Sequence, residues 1–288
     1  MTLDASAVPA LLDSRLRGEG VRESSREGRG TLVARLQGDR SVLARAHSSA
    51  PLRFLHPTFP GSRAATVCLV TFGGGLVDGD EIELGLHVEE GATLVVFTQS
   101  TTKAFRGSSR QNIRAEVHGT LVLLPDPVAC FRGASFRQRV DITLHGEGSA
   151  VALDGFTSGR AAFGERWAFD GIDLATTVRK EGRVLVRDAL RLHHGDGPIA
   201  TRMDRFEAFA TVLAIGPRAL PVAASVLAPS VVTSRTVAAP SPLPGALAGL
   251  GGIVRVAATS PTFALDEARA RLRNLPDIDV VDPFASRH

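Results

Sequence analysis

Tyrosine is absent from the 288 residues and tryptophan occurs once, at Trp167; fourteen phenylalanines supply the rest of the aromatic content. Proteins that hold single-stranded nucleic acid stack bases on aromatic platforms beside a cationic groove. Here the basic surplus is three charges, 33 Lys and Arg against 30 Asp and Glu, with both signs interspersed. So weak a field gives no reason to expect nucleic acid as a partner. Cysteine occurs twice, at Cys68 and Cys130, too far apart for a CxxC or zinc-ribbon pattern. Both read as small buried apolar side chains. No apolar run reaches the roughly 18–20 residues that span a bilayer, and the N-terminus mixes acids with arginines and lacks a continuous apolar stretch. The expectation is a cytoplasmic protein with no membrane partner.

What is present is β-pattern. Residues 1–28, charged and glycine-rich, read as a flexible arm; residues 29–276 read as one β-rich domain, and 277–288 as a tail. From Glu81 to about Leu192 apolar residues alternate: Ile82, Leu84, Leu86 and Val88 share one face, as do Ile113, Ala115 and Val117, and Val140, Ile142 and Leu144. A degenerate repeat, strand–glycine–strand, recurs as HVEEGATLVVF, EVHGTLVLL and TLHGEGSAVAL. Its hinges Gly91, Gly119 and Gly148 are roughly 28 residues apart, the signature of stacked β-units. The fold expected is mainly β, an elongated body of stacked or coiled sheet with a few short α-helices, mostly toward the C-terminus. Helical turns are expected near 222–227 and 243–250, and a helix over 261–275, acidic early, arginine-rich late and ended by Pro276.

The candidate chemistry centres on residues 71–106. Gly73, Gly74 and Gly75 fit neither GxxxxGK[ST] nor GxGxxG, which removes both phosphate-loop mechanisms. Ser158 is not in a GxSxG elbow. The acidic turn Asp78, Asp80, Glu81 clusters oxygens beside glycines without the spacing of an EF-hand. His193 and His194 form the one dense histidine group, while His56, His87 and His118 stand isolated in the sequence. Asp126 lies between two prolines in LPDPV (124–128), a rigid turn. Glu165, in GERW, would need a partner such as Arg160 or Arg166 if buried. No nucleophile–base–orienter set is readable. Two other readings stay open: a metal-dependent hydrolase using Asp78 and Asp80 with His193 and His194, and a β-rich interaction module without metal.

In order, PLR (51–53), GGGLVDGD (73–80), TQSTTKAFR (98–106), LPDPV (124–128), FRQR (136–139), TSGR with GERW (157–167), and a strand ending Ile215, Gly216, Pro217 resemble the urease accessory protein UreD family, called UreH in some systems. The resemblance implies a mostly β fold and a non-enzymatic role. Such a protein would bind UreF, which recruits the GTPase UreG, and the assembly would dock on apo-urease to deliver nickel. No cofactor would be permanently bound; nickel would be in transit along an interior path of weak oxygen contacts, since a tight cage would trap it. Carried over by residue, Asp80 and Glu165 are the leading positions for that path, with Asp78 and Glu81 beside them. Thr98, Gln99, Ser100, Lys103, Ser158 and Arg160 are lining positions. The chain departs from the family where Phe72 precedes the glycines, in a Pro/Ala-rich 221–250, and in its final residues.

Overall fold

Two kinds of apolar pattern take turns along the chain, and the fold puts them in different sheets. The computed structural model describes residues 27–284. The first sheet contains β1 (Glu27–Gln37), β2 (Arg40–Ser48), β5 (Glu81–Val88), β8 (Gly107–Val117), β11 (Ala134–Leu144), β15 (Gly171–Lys180) and β16 (Arg183–His193), ordered β16-β15-β11-β8-β5-β1-β2. These strands alternate because one face meets solvent. The second sheet contains β3 (Leu52–Leu55), β4 (Ala65–Thr71), β6 (Thr93–Thr98), β9 (Thr120–Leu124), β12 (Ser149–Thr157), β17 (Ala208–Ile215), β18 (Val231–Val232), β19 (Thr236–Pro242) and β20 (Gly251–Ala258), ordered β18-β19-β20-β17-β12-β9-β6-β4-β3. Its central strands, LVVF in β6 and LVLL in β9, are continuous apolar runs because both faces are buried. Beside this path lie β7 (Lys103–Ala104) and β10 (Val128–Cys130), and β13 (Gly159–Arg160) pairs with β14 (Glu165–Arg166) as a separate small hairpin.

The chain climbs by crossing between the sheets: β5, β6, β8, β9, β11, β12, β15. Each strand pairs in parallel with the one a full coil before it, β5 with β8, β8 with β11 and β11 with β15 in one sheet, β6 with β9 and β9 with β12 in the other. The expected coiled β-body is therefore present, and the repeating glycines sit at its tight corners. The corners stack by backbone: His118 N donates to Val88 O at 2.8 Å, His145 N to Val117 O at 2.9 Å, and Ser149 N to Gly119 O at 2.9 Å. Gly119 carries no side chain because a Cβ there would run into the carbonyl oxygens of Glu89 and Ala92 in the corner below.

Between the sheets lies the main core, from Leu32 through Ile82, Ile113, Ile142 and Leu213. Among the described residues three helices flank the sheets, and a second core joins the other face of the second sheet to the latter two of them. Of these, α1 (Ile199–Met203) is a short turn before β17, whereas α2 (Leu220–Val226) and α3 (Pro261–Arg271) pack on Val212, Val254 and Val256. Ser260 caps α3 by accepting from Phe263 N. The helix is shorter than the predicted 261–275: α3 ends at Arg271, and Pro276 lies inside a further turn, Leu275–Ile278. The stretch read as a tail from 277 is built into the body through 284, with Ile278, Val280 and Phe284 buried in the second core. Of the expected arm, residues 1–26 lie outside the described residues, and Glu27 and Gly28 already belong to β1.

Replacing Gly119 by Ala forces two coils apart at a backbone contact. Such overpacking costs about 1–3 kcal/mol. The expected result is a lower denaturant midpoint for Gly119→Ala, with Gly249→Ala, which has open space around it, unchanged. Equal midpoints would show that corner stacking does not limit stability.

Candidate functional site

A coil that crosses between two sheets has return connections on one rim, and here those connections are the polar motifs. Residues 72–80 link β4 to β5, 99–106 link β6 to β8, 125–133 link β9 to β11, and 158–170 link β12 to β15. The four stretches are distant in sequence and stacked in space. Leu76 bridges Ala104, β7 pairs with β10, Ala129 N donates to Thr102 O at 2.9 Å, and Gly107 N donates to Gly133 O at 3.0 Å.

Within that rim Gly73 and Gly74 take left-handed φ of 77° and 73°, the conformation for which glycine is favoured. The turn that follows is fixed by its own carboxylates. Asp78 Oδ1 accepts from Ser108 N at 2.8 Å, and Asp80, buried, accepts on Oδ2 from Val77 N at 2.8 Å. Glu81 pairs with Arg110 on the neighbouring strand. Thr98 Oγ1 donates to Asp126 Oδ2 at 3.0 Å and accepts from Asp126 N at 2.8 Å, which ties the end of β6 to the connection that follows β9. Thr98, Gln99 and Ser100 line a cavity of about 90 Å³ with Gly74, Thr102 and Gln111. That is room for several water molecules among polar partners. Lys103 is exposed at the edge of this rim.

Further along the rim, Arg160 forks Glu165 at 2.9 and 2.6 Å, and Arg132 lies 3.8 Å from the same carboxylate. The Arg160 hydrogen bond holds the Glu165 carboxyl below its usual range. Arg166 turns instead to Glu207 at 2.9 Å. Ser158 is buried, its N–H donating to Glu207 O and its carbonyl accepting from Trp167 N. Asp80 and Glu165 thus share a rim but stand on different connections, with β7 and β10 between them.

The most unusual polar group was not read from the sequence. Gln111 on β8 and Gln138 on β11 are in register and share the inward face. Gln138 Nε2 donates to Asp154 Oδ1 across the interior at 2.9 Å, and Gly155 N donates to the same oxygen at 2.8 Å. Asp154 in turn lines a cavity of about 440 Å³ with Asp188 and Arg255, which pair at 2.6 Å. Gln111 at the smaller cavity, Gln138 above it in register and Asp154 at the larger cavity thus form a polar thread of neighbouring positions. Burial pushes the Asp154 carboxyl up to about 7, against the lowering effect of its hydrogen bonds to Gly155 and Gln138. Ser109, on the same inward face of β8, is buried with its hydroxyl unpartnered among the described residues. The signal that could have found Asp154 is a lone acid inside the apolar run AVALDGF.

The histidines also regroup. His87 and His118 are isolated in sequence only, because coiling stacks their rings with His145 at centroid distances of 5.6 and 4.5 Å. His145 Nε2 lies 2.6 Å from Glu116 Oε2, and burial, followed by the neighbouring His145 and His87, lowers His118 from its ordinary value. Among the described residues no three His, Cys, Asp or Glu converge as a metal cage requires. Asp78 and Asp80 are not brought to His193 and His194: they stand beside β5, and the histidines end β16, with β8, β11 and β15 between. Four strand spacings are about 19 Å. Burial pushes the Cys130 thiol up to about 12, so it stays protonated.

The sequence profile described as UreD urease accessory protein matches residues 26–275. The chain belongs to that family. Its relatives include the urease accessory protein UreD of Sorangium cellulosum, 41% identical over 273 residues, covering 92% of this chain and 86% of the relative. The UreD of an Anaeromyxobacter species is 37% identical over 264 residues, covering 88% and 86%. Urease accessory protein D of Arabidopsis thaliana is 34% identical over 200 residues, covering 66% and 68%. The match to the UreD profile spans the whole coil and every return connection of the rim. Membership makes the chain a urease accessory protein, whose part is in maturation rather than in catalysis. Among the described residues no helix is long and apolar enough to cross a membrane.

Asp154 makes stability pH-dependent in a definite sense. The unfolded carboxyl ionises at its ordinary value of 3.8, while the folded one keeps its proton to about 7. The folded state then binds more protons in this window, so stability falls as pH rises through it. Asp154→Asn should therefore raise the melting temperature at about pH 8 and leave it unchanged below about pH 4. An offset of the same size at both pH values would show that Asp154 holds no such proton.

Proposed function

We propose that this UreD-family chain is a scaffold and nickel conduit, acting in the cytoplasm with UreF, the GTPase UreG and apo-urease. The observation that carries the reading is the polar thread Gln111–Gln138–Asp154 between two cavities, set in a chain of the urease accessory family. Amide and hydroxyl oxygens are weak, exchangeable ligands for a divalent cation, and they let it pass where imidazole or thiolate clusters would retain it. Nickel is cargo in this reading, and no metal is resident.

Asp80 and Glu165 are the proposed points of contact at the rim, with Asp78 and Glu81 adding negative charge near the first. Asp80 uses Oδ2 to close its turn, and Oδ1 makes no hydrogen bond among the described residues. Glu165 is held ionised by Arg160, so a passing cation would have to compete with that guanidinium. Thr98, Gln99, Ser100, Ser158, Lys103 and Arg160 line or orient the approach.

The test is co-expression pull-down with UreF, followed by nickel-dependent urease activation in a strain lacking the gene. Asp80→Ala and Glu165→Ala should each lower activation several-fold while UreF is still retained. Absence of UreF binding and unchanged activation on deletion would sink the role as a whole. Loss of UreF binding in the variants alone would instead make these carboxylates structural.

A further inference from the structure

Among the described residues the first sheet ends at β16, which hydrogen-bonds to β15 on one side and to no strand on the other. None of the other backbone hydrogen bonds among the described residues involves positions 184–192. In an antiparallel pair, alternate residues of such a strand turn both N–H and C=O to the open side. The pairing with β15 is bulged at Leu185 and regular over residues 186–193, and that regular stretch of open edge is a template for one more strand.

The space beside that edge is already floored. The second sheet continues outward as β17, β20, β19 and β18, and Asp188 of β16 reaches Arg255 of β20. Beyond that contact Ala239 and Ser241, on the β19 face turned toward the first sheet, are exposed, whereas Thr236 and Ala238 on the opposite face are buried beside the helices. The cavity of about 440 Å³ runs under the edge, lined by the consecutive residues 188–192 and floored by Phe156 and Phe209. A strand added at about 4.8 Å from β16 would lie over this shelf.

Charge and side-chain parity define the occupant. Arg187 and Arg191 share the solvent face of β16, opposite Thr177 and Asp173 of β15, while Leu190 and Leu192 face inward. Arg187 has no carboxylate partner among the described residues, and Arg191 has only a loose one, Asp196 at 3.8 Å between exposed groups. A neighbouring strand would place every second residue beside these arginines and the residues between over the cavity, where Phe156, Leu190, Leu192 and Phe209 supply apolar surface beside Asp154, Asp188 and Arg255. Two copies of this chain pairing through β16 would set arginine rows against each other, which disfavours self-association.

We propose that β16 is a docking edge for an extended segment of a partner protein, in which acidic residues alternate with apolar ones. The segment forms an eighth strand of the first sheet, its backbone bonded to β16, its acids on Arg187 and Arg191 and its apolar side chains in the cavity. The proposal does not rest on the nickel reading, although the cavity beneath the edge is the one that Asp154 lines, and peptide binding is read separately from urease activation.

The experiment uses the full chain and fluorescently labelled synthetic peptides of about nine residues, a typical strand length. One alternates Glu with Val, a second Lys with Val, and a third repeats the first with N-methyl groups on alternate amides. Fluorescence polarisation should give saturable binding of the Glu/Val peptide, about tenfold weaker binding of the Lys/Val peptide, and none of the methylated one. The double substitution Arg187→Glu with Arg191→Glu should reverse the charge preference while leaving the circular-dichroism melt unchanged, since both side chains are on the solvent face. No saturable binding of the Glu/Val peptide, equal binding of the methylated peptide, or a preference unmoved by the substitutions would overturn the proposal. A concentration-dependent dimer of the unmodified chain, lost in the double variant, would overturn it in favour of a second copy.

Discussion

Everything in this molecule depends on close backbone contact between successive coils. Parallel strands need a crossover, and most proteins supply a helix for it. Here the crossover is itself a strand in the facing sheet, so each coil closes on the one before through corners only a few residues long. That is possible only where main chain can touch main chain. At Gly119 and Gly148 the carbonyl oxygens of the preceding coil occupy the space a Cβ would need. With the corners fixed, register is fixed: β8 and β11 match residue for residue over 11 positions, and every inward side chain stands on its counterpart one coil below. The main core, the rim and the polar thread are all consequences of that register.

Register also explains which features could be read from the sequence. The alternating strands, the continuous apolar strands and the recurring glycines are local patterns with a stated period, so the coiled β-body followed from them directly. The motifs GGGLVDGD, TQSTTKAFR, LPDPV and GERW were each visible, but their assembly into one rim was not, because it depends on all four being return connections of equal sense. Gln111 and Gln138 are ordinary glutamines in alternating strands; only stacking makes them neighbours. Asp154 looked like one acid in a long apolar run, and nothing in the run revealed that Gln138 would face it from the other sheet. His87, His118 and His145 were missed as a group for the same reason. The C-terminal stretch was misread for a different one: Ile278, Val280 and Phe284 are spaced too irregularly to announce a buried face, and their burial is conferred by the sheet they pack on.

The electrostatics divide along the same geometry. The outward face of the first sheet has Glu27, Glu81 and Glu83 on β1 and β5, and Arg110, Arg114, Arg137 and Arg139 on β8 and β11, joined by cross-strand pairs such as Arg139 with Asp173 at 2.7 Å. Exposed pairs of this kind each contribute little to stability, at most about 1 kcal/mol, but together they tie neighbouring strands across the solvent face. Inside, two ionisable groups among the described residues are held in different ways. Arg271, buried, spends its guanidinium on Glu267 and on the carbonyls of Ala228 and Pro229, pinning the Pro/Ala-rich segment to α3. Asp154 is instead kept near the boundary between its neutral and charged forms.

Gln138 is the shared member of two contacts. It stands on Gln111, its register partner one coil below, and bonds Asp154 from the facing sheet. A methyl-terminated side chain of the same size there would leave the shape of the interior almost intact and still take one donor from the Asp154 carboxyl, so the proton that this acid keeps is governed by a residue sixteen positions away in the sequence and on the other sheet.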